Sequence, residues 1–332
     1  MNPAKCDELD YIHFLVAAQR VFSNTEAARC HPAAGTGGPA HDAYTRLLHR
    51  CQADGEALWK EVRPYVRLTE GMLVLDDTTL DKPYARRMAL VTRHWSGKHQ
   101  RVVRGINLIN LMWTDGDSHL PCDFCIYNKP HDGLTKNDHF EAMILRAAER
   151  GFRPRLVAFD SWYASLKNLK LIRSLNGHWL TKLKANRLVD PDGSGNRPLR
   201  TVLIPRHGAI VHLKGYGLVK VFKIVAPNGD IEYWATSDLT MTLEQLADFA
   251  LWGWRIEEYH RWLKQFCGIE RAQHRSAKAQ RNHIGLALRA FLRLEIYRLQ
   301  TGTSWFEAKT AIIRDAIRAY LAQPFYTLTP TA

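Results

Sequence analysis

The chain has 332 residues, 46% of them hydrophobic and 24% charged, with a mean hydropathy of −0.30. That balance excludes a disordered chain, and no apolar run reaches the roughly 18 residues of a membrane span, so a globular protein is expected. Lysine plus arginine number 46 against 33 acidic residues, a formal charge of +13, which suits a polyanionic partner because each phosphate contact releases condensed counterions.

The length implies one large domain with smaller attachments. Residues 1–10 are polar and acidic, unlike a signal peptide, so a cytoplasmic protein with reduced thiols is expected. Among the six cysteines only Cys122 and Cys125 have CxxC spacing. A second ligand pair for zinc is missing, and a strand-edge pair is the better reading.

Apolar residues from Leu9 to Phe22 predict a helix, and Ser23 with Glu26 is a capping-box pattern opening another. After a Gly/Pro-rich loop, residues 42–51 read as a short amphipathic helix carrying Arg46 and Arg50. Such short basic helices suit a DNA-reading helix-turn-helix module, and ordinary packing of small helices fits them equally well. From Gly71 the pattern changes. The runs 72–75, 88–92 and 102–113 read as strands, 138–150 as a helix, 156–159 as a buried strand, 166–175 as a helix and 178–183 as a strand. Strands first, then alternation with helices, give an α/β (α+β) core with a mixed sheet. Turn clusters at 190–193 and 227–230 bracket strand-like runs, a β-rich insertion of hairpins. Helices follow at 243–266 and 277–300, and Ser304 with Glu307 caps a last one.

Three carboxylate positions carry chemistry. Asp76-Asp77 and Asp160 each follow a short apolar run, so both are expected at the strand ends where ligands gather in α/β sheets. Aspartates brought close together repel one another and stay ionised when a hard divalent cation holds them. The third lies in Trp254-Arg255-Ile256-Glu257-Glu258-Tyr259-His260-Arg261-Trp262-Leu263-Lys264. At helical spacing Ile256, Tyr259, Leu263 and Phe266 form a core stripe. Glu257, Arg261 and Lys264 share the face beside it, and Glu258 is expected nearer solvent. An ordinary salt-bridge ladder on a solvated helix fits that spacing equally well.

These motifs, Leu75-Asp76-Asp77-Thr78-Thr79, Phe159-Asp160-Ser161-Trp162-Tyr163 and Trp254 to Tyr259 with Lys264, resemble those of bacterial insertion-sequence DDE transposases of the YREN-signature group. The resemblance covers residues 71–271. It implies an RNase H-like core with a β-rich insertion before the last catalytic helix. It implies Asp77, which precedes the paired threonines, as first catalytic aspartate with Asp76 as the alternative, then Asp160 and Glu257. Lys264 matches the signature lysine. Ala250 and Gly253 stand where the signature has tyrosine and arginine, so Arg255 and Arg261 are the residues left to grip phosphate. Trp234 matches a tryptophan that stacks on a flipped base, although a core strand tryptophan is an equal reading.

The resemblance implies a cut-and-paste DNA transposase. Two Mg2+ or Mn2+ ions on Asp77, Asp160 and Glu257 would serve strand cleavage, passage through an end hairpin, and joining of 3′ ends to target DNA. Its partners would be terminal inverted repeats, target DNA and a second copy of itself, at the bacterial nucleoid, with no membrane and no nucleotide cofactor. The expected domains are a helical DNA-binding segment at 1–68, core at 69–185 and 233–275, insertion at 186–232, and C-terminal helices at 276–332 that either serve pairing or simply cover the core. A non-catalytic transposase-derived DNA-binding protein and another RNase H-like nuclease are the alternatives.

Overall fold

The computed structural model describes residues 4–96, 100–226 and 228–324. Residues 1–3 and 325–332 of the expected terminal segments, and Pro227 of the second turn cluster, lie outside them. Four helices come first: α1 (Glu8–Ala17), α2 (Asn24–Cys30), α3 (His41–Arg50) and α4 (Gly55–Val62). Then come β1 (Met72–Asp81), β2 (Thr92–Ser96), β3 (Arg101–Thr114) and β4 (Leu120–Tyr127). The short α5 (Lys129–Asp132) leads to α6 (Lys136–Glu149), β5 (Leu156–Phe159), α7 (Leu166–Ser174) and β6 (Trp179–Leu183). Next are β7 (Leu188–Asp190), β8 (Arg197–Pro198), β9 (Ala209–Leu213), β10 (Gly217–Val225) and β11 (Ile231–Thr236). Three helices close the chain: α8 (Leu243–Phe266), α9 (Ala277–Thr301) and α10 (Trp305–Ala322).

The chain divides into two compact units, Met1–Ala53 with Trp262–Ala332, and Asp54–Arg261. The segments expected as separate N- and C-terminal domains therefore fall largely in one unit. Buried polar bonds tie it together. Tyr11 Oη lies 3.0 Å from His283 Nδ1, and Asn282 Nδ2 donates to the carbonyls of Leu48 and Cys51 at 2.8 Å each. Gly285 is needed because a Cβ there would stand 1.8 Å from the Ala53 carbonyl oxygen. Of each expected capping box one half forms: Ser23 and Ser304 accept from the backbone N–H of Glu26 and Glu307, both at 3.1 Å, without the reciprocal glutamate bond. Residues 31–40 connect α2 to α3. That is longer than the three or four residues of a helix-turn-helix turn, whereas residues 51–54 make a connector of that length between α3 and α4.

The second unit is organised by one mixed sheet. Its described strands run β2-β3-β1-β5-β6-β11-β10-β9-β7-β8, with β4 also paired to β3. Within it, β4, β3 and β1 are antiparallel neighbours, and β5 and β6 run parallel to β1. This is the RNase H-like order that the resemblance implies. The insertion extends the same sheet, because β10 pairs with β11 from Val225–Ile231 to Lys220–Thr236.

Two departures matter for the site. β4 runs through Cys122 and Cys125, where the sequence marked only a strand edge. More important, β1 does not stop at Leu75 but continues to Asp81, paired throughout with β3. Long β3, buried from Gly105 to Thr114, supplies the template. Asp76 and Asp77 are thus successive residues inside a strand and point to opposite faces. Leu73 and Val157 face α6 and α7, whereas Val74 and Ala158 face α8.

Candidate active site

Asp76 shares the α8 side of the sheet with Asp160. The parallel register pairs Leu75 with Phe159, so the next residues on the two strands come side by side. Asp160 sits in the turn after β5 and accepts the backbone N–H of Ser161. From α8, Glu257 and, one turn on, His260 reach the same place. Ligand atoms of Asp76, Glu257 and His260 all lie within 4.8 Å of one another. Asp76, Asp160 and Glu257 line one cleft of about 310 Å³, with Lys182, Trp234 and Trp254.

His260 is 4% exposed, and its two ring nitrogens face different neighbours. Nδ1 is 3.9 Å from Asp76 Oδ2. Nε2 is 3.0 Å from Asn110 Nδ2, and the Tyr259 hydroxyl donates to Asn110 Oδ1 at 3.4 Å. Asn110 is the β3 residue opposite Asp76, so α8 and β3 fix the imidazole together. Burial pushes the Asp76 carboxyl well above the usual carboxylate range, and the charges of Asp77, Glu257 and Asp160 push it further. Among the described residues no lysine or arginine pairs with Asp76 or Asp160. Concentrated negative charge with an imidazole at its edge fits a divalent cation.

Asp77 is in the opposite situation. Lys136 Nζ, Asn107 Nδ2 and the Tyr163 hydroxyl all donate to its carboxylate at 2.7 Å. Burial alone would raise its pKa, but the Lys136 charge and these three hydrogen bonds outweigh it and leave the group below its ordinary value. Tyr163 is correspondingly raised, by burial first and then by Asp77. The resemblance singles out Asp77, but the strand's alternation turns Asp77 away and brings the alternative, Asp76, to Asp160 and Glu257.

The remaining sequence-derived residues are dispersed. Trp234 is half-buried at the cleft, with its Nε1 donating to Glu232 at 2.9 Å and Lys182 Nζ 5.0 Å from its ring centroid. It is therefore not a core tryptophan. Arg255 lies 3.9 Å from Glu258, and Arg261 is exposed. Lys264 Nζ is 3.3 Å from Glu270, within the other unit. Arg46 pairs with Asp42 one turn away, and Arg50 donates to the Cys6 carbonyl. Both thus have partners inside the helical unit. Glu257 is exposed and Glu258 half-buried, the reverse of the expectation. Glu257 looks into an open cleft, not onto packed core. Cys122 and Cys125 engage different partners, the Leu120 carbonyl and Met143 Sδ.

Asn110 was not singled out in the sequence, and His260, Trp162 and Trp254 stood in its motifs without a role. A signal existed for His260, since Glu-x-x-His places both side chains on one helix face, an arrangement used in carboxylate metal sites. The others carry no pattern of their own.

The transposase DDE domain family matches residues 68–293. The chain matches no curated protein sequence. Among solved structures, the piggyBac transposase synaptic complex with hairpin DNA aligns over 100% of this chain and 80% of that one, with a TM-score of 0.51 at 10% identity. The Drosophila P element transposase strand transfer complex aligns over 53% of this chain and 37% of that one, with a TM-score of 0.30 at 10% identity. At such identities the piggyBac likeness is one of fold.

Proposed function

This chain belongs to the transposase DDE domain family, and on that premise we propose that it cuts DNA at the ends of its own element and joins the freed 3′ ends to target DNA. The observation that carries the reading is the meeting of Asp76, Asp160 and Glu257 at one cleft, from a central strand, a strand end and a helix. We assign the first catalytic aspartate to Asp76, with Asp160 and Glu257 as its partners. His260 joins Asp76 and Glu257 in holding metal.

Two Mg2+ or Mn2+ ions bound there would supply an activated oxygen nucleophile and charge neutralisation at the leaving oxygen. The protein's own groups do the rest. Asn110 fixes the His260 ring through Nε2, which keeps Nδ1 directed at Asp76. Trp234 offers an indole face at the cleft for a base displaced beside the cut. Arg255 and Arg261 on α8 contribute positive charge for the strand's phosphates. An end hairpin is the intermediate that the resemblance implies.

The partners of this activity are terminal inverted repeats and target DNA at the nucleoid. None of the described helices is long and apolar enough to cross a membrane. One chain offers one such cleft and an element has two ends, so a homodimer is the working form. In support, α10 leaves Phe306, Ile312, Ile317 and Leu321 exposed. Gel filtration with end DNA should give a complex with two protein chains; a single chain per complex would refute the pairing.

The central test incubates purified protein with end-labelled DNA carrying the gene's flanking sequences, in Mg2+ and in EDTA, on denaturing gels. Metal-dependent cuts that vanish in Glu257→Gln are expected. Cutting retained by that variant would overturn the assignment.

A further inference from the structure

Two tryptophan–lysine pairs flank Asp160, and they differ in one respect. At the cleft, Lys182 lies over Trp234, and Glu232 binds both the Lys182 ammonium and the Trp234 N–H. That pair is electrostatically closed. On the other side, Trp162 follows Asp160 by two residues and is 67% exposed. Lys184 Nζ stands 5.5 Å from its ring centroid. Trp162 and Lys184 line a separate cavity of about 240 Å³ with Ser161, Ser165, Asn186 and Arg187.

This cavity holds unmet positive charge. Arg187 Nη2 is buried with no hydrogen-bond partner. Among the described residues neither Lys184 nor Arg187 pairs with a carboxylate. A buried donor left unpaired is costly, and a guanidinium suits planar or phosphate oxygens. An exposed indole suits the face of a base. Both features open beside Asp160, whose proposed work is on a phosphodiester.

We propose that this cavity is a single-nucleotide subsite: one unpaired nucleotide of the DNA strand packs its base on Trp162 and sets its phosphate on Arg187 and Lys184. The proposal rests on the DNA-cutting reading and adds to it a place for the strand beyond Asp160, distinct from the Trp234 cleft.

The test measures fluorescence anisotropy of the full chain with a labelled duplex bearing a short oligothymidine overhang, and with the same duplex blunt, across a salt series. Trp162→Ala is expected to weaken overhang binding about tenfold and blunt binding little, with Trp162→Phe restoring most of the loss. Arg187→Gln and Lys184→Gln should each lower the salt slope for the overhang probe by about one phosphate contact. Thermal melting of each variant confirms that it is folded. Unchanged overhang affinity in Trp162→Ala, or equal weakening of both probes, overturns the subsite. Magnesium-dependent cutting is assayed on the same preparations. A wild-type protein that cuts, with unchanged overhang binding in Trp162→Ala, removes the subsite and leaves the proposed function standing. A wild-type protein that neither cuts nor binds removes both.

Discussion

The two faces of β1 hold neighbouring aspartates in opposite chemical states. On the α6 face Asp77 has a lysine, an amide and a phenol within 2.7 Å. On the α8 face Asp76 has carboxylates and a histidine. The first environment completes a charge and the second accumulates it. A compensated carboxylate is a structural anchor, whereas crowded, uncompensated ones mark a place prepared for a cation. Through Tyr163, three residues after Asp160, the anchored face also bears on where the Asp160 turn lies.

The largest expected effect separates the faces by activity. Asp76→Asn or Glu257→Gln should reduce DNA cutting beyond the roughly 10- to 100-fold that a supporting residue costs at a metal site, read from timed denaturing gels. If Asp77→Asn is the more damaging to cutting at equal folded fraction, the assignment of the faces is reversed. Next is Lys136→Met. It leaves Asp77 buried without its cation and should cost about 3 kcal/mol of stability, measured by denaturant unfolding. Asp77→Asn added to it should recover part of that loss, and no recovery would mean that Lys136 acts through packing alone. Tyr163→Phe removes one bond to Asp77 and should slow cutting roughly tenfold with DNA binding unchanged, as anisotropy would report.

The smallest effect is thermal and carries a sign. Asp77 titrates below its ordinary 3.8 in the folded chain. Its stabilisation is therefore present above pH 3.8 and lost as pH falls through the depressed value. Asp76 titrates well above 3.8, so its ionisation penalises the fold at neutral pH, and the penalty fades as pH falls through the raised value. In EDTA at pH 7, Asp76→Asn should raise the melting temperature and Asp77→Asn lower it, each by a few degrees. Added Mn2+ should stabilise the wild type and not Asp76→Asn. Equal signs for the two variants would dissolve the contrast.

Much of this architecture is legible in the sequence. The apolar run at 156–159 is β5 and the amphipathic pattern at 243–266 is α8, because burial and helical period act locally. The acidic positions are legible too, since chemistry restricts residue type. What escaped was the length of β1. Thr78 and Thr79 look like the end of an apolar run, yet β3 pairs with them at Leu108 and Asn107. The outward-looking terminal helical segments likewise gave no sign that Asn282 would bind the carbonyls of Leu48 and Cys51 at the end of α3.

The sequence by itself determined which residues carry charge and metal-ligating capacity here, and the order in which strand, strand and helix deliver them. Only the tertiary structure decided which member of the Asp76-Asp77 pair enters the cleft, and that His260 lies buried against it. The reason is that a strand's facing is set by the register of its neighbours and by what covers each side. Those are properties of β3, β5, α6 and α8 together, and no motif within β1 records them.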